Sequence, residues 1–144
     1  MWTDGNHLYE GDCRRGDREA SEAEERAVRK TQIWFAIKAE RDRRTQNGGY
    51  KVGQKWFHSD QFSRGQQLGL VLLGANFPAG LQWKTMDGSF VTMTQALAGQ
   101  ILAAGAASDS ATFAVAEAHR AAMEASQDPA SYDFSTGWPA IFGE

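Results

Sequence analysis

The stretch Ser21-Glu22-Ala23-Glu24 constrains the chain more than any other, because it is a capping box. The Ser21 hydroxyl can accept from the backbone N–H three residues on, and the Glu24 carboxylate can reach back to the N–H of Ser21. Early acids also suit the positive end of a helix dipole. The run that follows predicts a helix from about Glu22 to Thr45. Ala27, Ile33, Trp34 and Ile37 share one face, with Phe35 beside it. Its end, Arg41-Asp42-Arg43-Arg44, is basic, and Asn47-Gly48-Gly49 stops it. A helix this long must lay its apolar face on something. A chain of 144 residues, 42% hydrophobic and 23% charged, has enough apolar material for one real core.

The rest of the chain supplies that partner. Residues 1–20 read as an extension, with Asp4-Gly5 as the turn of a small hairpin that must lean on other elements. Tyr50 to His58 reads as one strand, with Tyr50, Val52, Gln54, Trp56 and His58 on one face and Phe57 on the other. Ser59 or Asp60 can cap a second helix, in which Leu68, Leu72 and Ala75, widened by Val71 and Leu73, form the apolar arc. Gly65, Gly69 and Gly74 each cost that helix about 1 kcal/mol relative to Ala, which tight packing would offset.

Asp87-Gly88 marks a hairpin over residues 81–93, pairing Thr85 with Phe90 and Trp83 with Thr92. Leu81, Trp83, Thr85, Phe90 and Thr92 would then form its core face. Thr94 caps an alanine-rich helix that buries Ala96, Leu97, Ile101 and Leu102. Gly105 and Ser108-Asp109-Ser110 read as a break before a last helix reaching about Ser126, and Asp128-Pro129 stops that one. The fold class expected is α+β: a small antiparallel sheet of about three strands, including the 81–93 hairpin, packed against helices, with a long N-terminal helix. The units are an extension over 1–20, a helix over 21–47 and an α+β domain with an aromatic tail over 48–144.

Several functions are disfavoured. A net charge of −3 and a pI near 5.6 give no general attraction to nucleic acid or an anionic membrane. The most apolar stretch, residues 68–75, is far too short to cross a bilayer, and the first residues lack the layout of a signal peptide. Cytoplasmic synthesis and solubility are expected. The lone Cys13 forms no intrachain disulfide. His58-Ser59-Asp60 has the residue types of a hydrolase triad, but neighbours on an extended chain point apart, so a strand end and helix cap is the better reading. His7, His58 and His119 lack metal-ligand spacing, and Glu40 and Asp42 sit among arginines on a solvated helix face. Gly48-Gly49 and Gly99 do not make a phosphate loop. No catalytic, cofactor-binding or metal-binding residue is assigned.

The aromatic residues are the informative class, because they gather at the two ends. Aromatic residues are enriched in interface hot spots. Trp2, Leu8, Tyr9, Trp34, Phe35, Tyr132, Phe134, Trp138 and Phe142 are therefore the candidate protein-binding residues. The alternative, that they cover their own domain, stands beside it.

From about Ile37 to Ser126 the chain resembles a known family. Ile37-Lys38-Ala39-Glu40-Arg41-Asp42-Arg43-Arg44, Gly49-Tyr50-Lys51-Val52 and Trp56-Phe57-His58-Ser59-Asp60 are similar to its opening. Residues 81–88 and Phe90-Val91-Thr92-Met93-Thr94 resemble its hairpin, and Ala118-His119-Arg120 its last helix. The family is a domain of unknown function found in tail and tail-fibre gene regions of tailed phages and prophages. More loosely, residues 5–12 and 16–20 are similar to leader segments of such domains. The resemblance implies a non-catalytic structural component of the phage tail, made in the bacterial host cytoplasm and carried in the virion. Its partners would be other tail or tail-fibre proteins, a homo-oligomer would be compatible, and neither nucleic acid nor membrane insertion is implied. A tail-fibre assembly chaperone absent from the virion is the alternative. A cell-envelope carbohydrate-active enzyme is a second one, but no placed pair of carboxylates stands out.

Overall fold

A computed structural model describes residues 1–144. Three short strands, β1 (Trp2–Thr3), β2 (Leu8–Tyr9) and β3 (Arg18–Glu19), precede α1 (Glu22–Asn47). The strands β4 (Tyr50–Val52) and β5 (Lys55–Phe57) lead to α2 (Gln61–Leu72). The strands β6 (Gln82–Lys84) and β7 (Phe90–Thr92) lead to α3 (Gln95–Ala125), and an irregular tail follows. The fold is α+β, with three helices and small antiparallel sheets, and α1 is long as its capping box predicts. Ser21 Oγ accepts from Glu24 N at 3.2 Å, and Glu24 Oε2 accepts from Ser21 N at 2.8 Å.

The strands are distributed differently from the expectation. The three-stranded sheet lies in the N-terminal segment, in the order β2-β1-β3, and residues 50–57 and 82–92 form two separate hairpins. Residues 50–58 are not one strand because Gly53, at φ +60°, turns the chain after Val52 and pairs it with Lys55. Glycine at the first central position is what a type II′ turn requires. Tyr50 therefore faces Phe57, and both are buried. Trp56 takes the opposite face, where its ring meets Phe142 edge-on at 6.4 Å.

The 81–93 hairpin forms, but one residue off the expected register: Gln82 faces Thr92, Trp83 faces Val91 and Lys84 faces Phe90. Its loop spans three residues, with Gly88 at φ +84° and Gly88 N donating to Thr85 O, the pattern of a type I turn closed by a left-handed residue. Asp87 widens it by accepting from Ser89 N, Ser89 Oγ, Thr85 Oγ1 and Lys55 Nζ. One residue of slip exchanges faces. Phe90, expected in the core, is exposed.

The predicted break near Ser108 is absent, and α3 runs on for 31 residues, about 46 Å at 1.5 Å per residue. Ser108 O accepts from Thr112 Oγ1, so the polar run stays helical. Gly105 is packing chemistry rather than a stop: a Cβ there would lie 2.8 Å from the Tyr50 ring. The helix α3 spans both core clusters. Its first half, through Ala98 and Ile101, packs with Tyr50, Phe57 and Met93. Its second half, through Ala116 and Met123, packs with Ile37 of α1. The N-terminal sheet leans on the start of α1, through Arg29 to Glu10 at 2.8 Å and Arg18 to Glu24 at 2.7 Å.

Candidate functional site

The aromatic candidates separate into residues occupied within the chain and residues left open. Tyr132, Phe134 and Trp138 fold back on the Ile37–Ala116–Met123 cluster. Trp138 Nε1 donates to Phe134 O at 2.7 Å, and Tyr132 Oη shares a 2.8 Å hydrogen bond with His119 Nδ1. Trp34 lies under the Arg120 guanidinium at 4.7 Å. Trp2 donates to Gly11 O, and Tyr9 donates to Asp17 beneath Arg14. Leu8 is half-buried in the N-terminal sheet. Phe35 remains 71% exposed and Phe142 partly so. The candidates do not converge on one patch.

The motif residues are occupied too. Trp56 O accepts from Met86 N, and Ser59 Oγ accepts from Gly49 N at 2.9 Å. Phe57 fills the core, and His58 O accepts from Gln67. Asp60 caps α2 by accepting from Ser63 N, a bond that holds its carboxyl below the usual range. Ser59 and Asp60 thus have separate structural tasks, and His58 contributes its backbone carbonyl to the core while its ring borders the groove beside Ser63 and Trp83. No three His, Cys, Asp or Glu side chains stand close enough to hold a metal ion, and no helix is long and apolar enough to cross a membrane.

The open apolar surface is the outer face of α2. The expected inward arc is reversed: Gln67 is the fully buried residue, while Phe62 and Leu72 are each 76% exposed, Leu68 49% and Leu73 40%. The reason is Arg64. Its guanidinium reaches inward to Asp109 at 2.6 Å and to the carbonyls of Thr45 and Ser59, and Tyr50 Oη also donates to Asp109. Burial, with Asp109 adding to it, pushes the Tyr50 phenol far above its ordinary range, so it stays a donor. Charge-assisted bonds of this kind outweigh one leucine's burial and set the rotation of the helix. Val71 and Leu70 still reach the core beside Gln67.

Phe62, Gly65, Gly69 and Leu72 lie along the outward stripe, spaced three, four and three apart. An added Cβ at Gly65 or Gly69 would meet nothing within 4 Å, so the chain itself gives no packing reason for either glycine. Gly74 is different: its φ of +53° ends the helix. On one flank a groove of about 360 Å³ is lined by Ser63, Gln66, Lys84 and the exposed Phe90. On the other, Leu68 borders a groove of about 210 Å³ against Leu102 and Ala106 of α3. A face of this kind can bury apolar area against a protein surface.

A signal for this face is present in the sequence: between Gly65 and Ser108 the only charged residues are Lys84 and Asp87. No curated protein and no solved structure matches the chain. The family described as Domain of unknown function (DUF4376) matches residues 28–136, from the second turn of α1 to the start of the tail's last segment. That span includes both core clusters and the whole of α2, and the chain belongs to this family.

Proposed function

We propose that the chain is a non-catalytic binding module of a tailed-phage tail, joined to other tail or tail-fibre proteins through protein contacts. One observation carries the binding role: an uncharged apolar face on α2, held in place by the Arg64–Asp109 pair and left uncovered by the chain's own tail. Apolar patches on a rigid element are where protein partners gain most from burial. The phage-tail setting is supported by the resemblance of the Trp56–Asp60 and Trp83–Thr85 motifs to domains from tail gene regions.

The test is mass spectrometry of purified particles, calibrated against the major tail protein. A fixed copy number per particle is the expected result. Absence from particles, with co-purification beside a fibre protein from infected cells, would overturn the structural role in favour of an assembly factor.

A further inference from the structure

We infer that the outer face of α2 takes α2 of a second copy, packed antiparallel about a two-fold axis at the level of Gln67; this rests on the reading of that face as a docking surface. The spacing carries the argument. A two-fold contact requires that residue i meet j while j meets i. Reversing the helix about residue 67 sets Phe62 against Leu72 and Gly65 against Gly69, so the stripe matches its own reverse. The three-four-three spacing is that of a helix-packing seam, in which large residues at the ends close over small ones in the middle. Gln66 then meets Gln66 on one flank, and Leu68 meets Leu68 on the other.

Three further observations favour a second copy over another occupant. The two glycines are unexplained within the chain and open outward, and glycine is what allows two helix backbones to approach closely. The face carries no charge, because Arg64, the one charged residue of the helix, is turned inward. A partner with charged side chains would leave them buried without a counter-ion, whereas an identical face presents none. Apart from its Asp60 cap, α2 has no acid in its first turn and no base in its last. An antiparallel neighbour supplies the opposing dipole that these side chains do not.

The size sets the strength. A large apolar side chain buries on the order of 200 Å², so the open portions of Phe62, Leu68, Leu72 and Leu73 come to roughly 1,000 Å² in the pair. That is the lower bound of specific association, and it gives a dimer that assembles in the micromolar to millimolar range rather than an obligate one.

The test is sedimentation equilibrium of the full chain across that range, with three variants. Gly69→Leu puts a side chain into the seam where the monomer has open space, so it should lose dimerisation at least tenfold with an unchanged circular dichroism spectrum. Phe113→Ala removes an exposed aromatic of α3, outside the face, and should leave the dimer unchanged. Gln66→Cys in a Cys13→Ser background should be joined into dimers by a short bis-maleimide, because the antiparallel arrangement brings the two positions together on one flank. A chain that stays monomeric throughout, or a dimer indifferent to Gly69→Leu, overturns the inference. The docking reading fails separately: it falls if Gly69→Leu is incorporated into particles at the normal copy number. A monomer whose Gly69→Leu variant is lost from particles keeps the docking face and replaces its occupant by a different protein.

Discussion

The helices α1 and α2 both lie on α3, and each turns one face outward, yet the two faces are built for different surroundings. The outer face of α1 is laced with short ion pairs, such as Arg43 with Glu40 at 2.7 Å and Arg29 reaching back to Glu10. Such exposed pairs add little stability, but they keep a helix wetted. Its apolar side is closed from within by Tyr132, Phe134 and Trp138 of the tail. The helix α2 has neither feature: no charge faces outward and no tail segment covers Phe62 or Leu72. Apart from the exposed Phe35, α1 is finished within the chain and α2 is not, and this difference separates the scaffold from the docking surface.

The strongest test of that division strikes the core beneath α2. Phe57 is fully buried against Tyr50, Met93 and Ile101, so Phe57→Ala should cost about 3–5 kcal/mol in urea unfolding. Because α3 runs through both clusters, the loss should appear as one shifted transition that takes the tail with it. Two transitions, one at the α2 end and a later one reported by Trp138 fluorescence, would show that the two ends are independent units.

A smaller effect separates an inward arginine from an outward one. Arg64→Met leaves Asp109 and Tyr50 facing each other without a cation and removes two bonds to backbone carbonyls. With the pair about 30% exposed, the cost should be about 1.5–3 kcal/mol rather than that of a sealed ion pair. Arg43→Met on α1 should stay within about 0.5 kcal/mol. Equal losses from the two substitutions would remove the distinction drawn between the faces.

The two faces were also unequally legible in the sequence. The helix α1 could be read from its cap to its stop, because local chemistry sets both ends: the Ser21–Glu24 box and the glycines after Asn47. Asp60 as a cap and the existence of the 81–93 hairpin were legible for the same reason. The rotation of α2 was not. Counting apolar residues puts Leu68 and Leu72 inward, and nothing local reveals that Arg64 has a partner 45 residues away in Asp109. The missing break in α3 has the same origin, since Asp109 and Gly105 look like breakers until Arg64 and Tyr50 are placed against them. Gly53 is not legible as a turn, because a single glycine between Val52 and Gln54 in an alternating run reads equally well as part of a strand.

The glycines of α2 allow a prediction of opposite sign. Gly65→Ala and Gly69→Ala place a methyl group into open space on a helix, so each should raise the stability of the dilute monomer by about 0.5–1 kcal/mol. Most substitutions destabilise. A gain at both positions would show that the fold itself does not need these glycines and would locate their purpose outside the chain. A loss would mean that some contact within the fold requires them, and the contrast with α1 would weaken.

The smallest effect concerns acid, and it belongs to α1. Arg43 and Arg44 hold the Glu40 carboxyl down to about 2, against an ordinary value near 4.5. Arg44 also grips Glu144 and Pro139 O, tying the tail to the end of α1, and the same arginine holds Glu144 below its usual range. Because the folded-state value is the lower one, the unfolded chain takes up the proton first as the medium is acidified. The stabilisation is therefore complete above about pH 4.5 and is lost as the pH falls toward 2. Glu40→Gln should lower the urea midpoint at neutral pH by as much as acid lowers the wild type through this group, and should flatten the decline of the midpoint across that interval. If the wild-type slope survives the substitution, the acid sensitivity arises at another carboxyl that the fold holds low, Glu24 in the cap of α1, Asp87 in the hairpin or Asp60 at the cap of α2, and replacing each in turn would tell which.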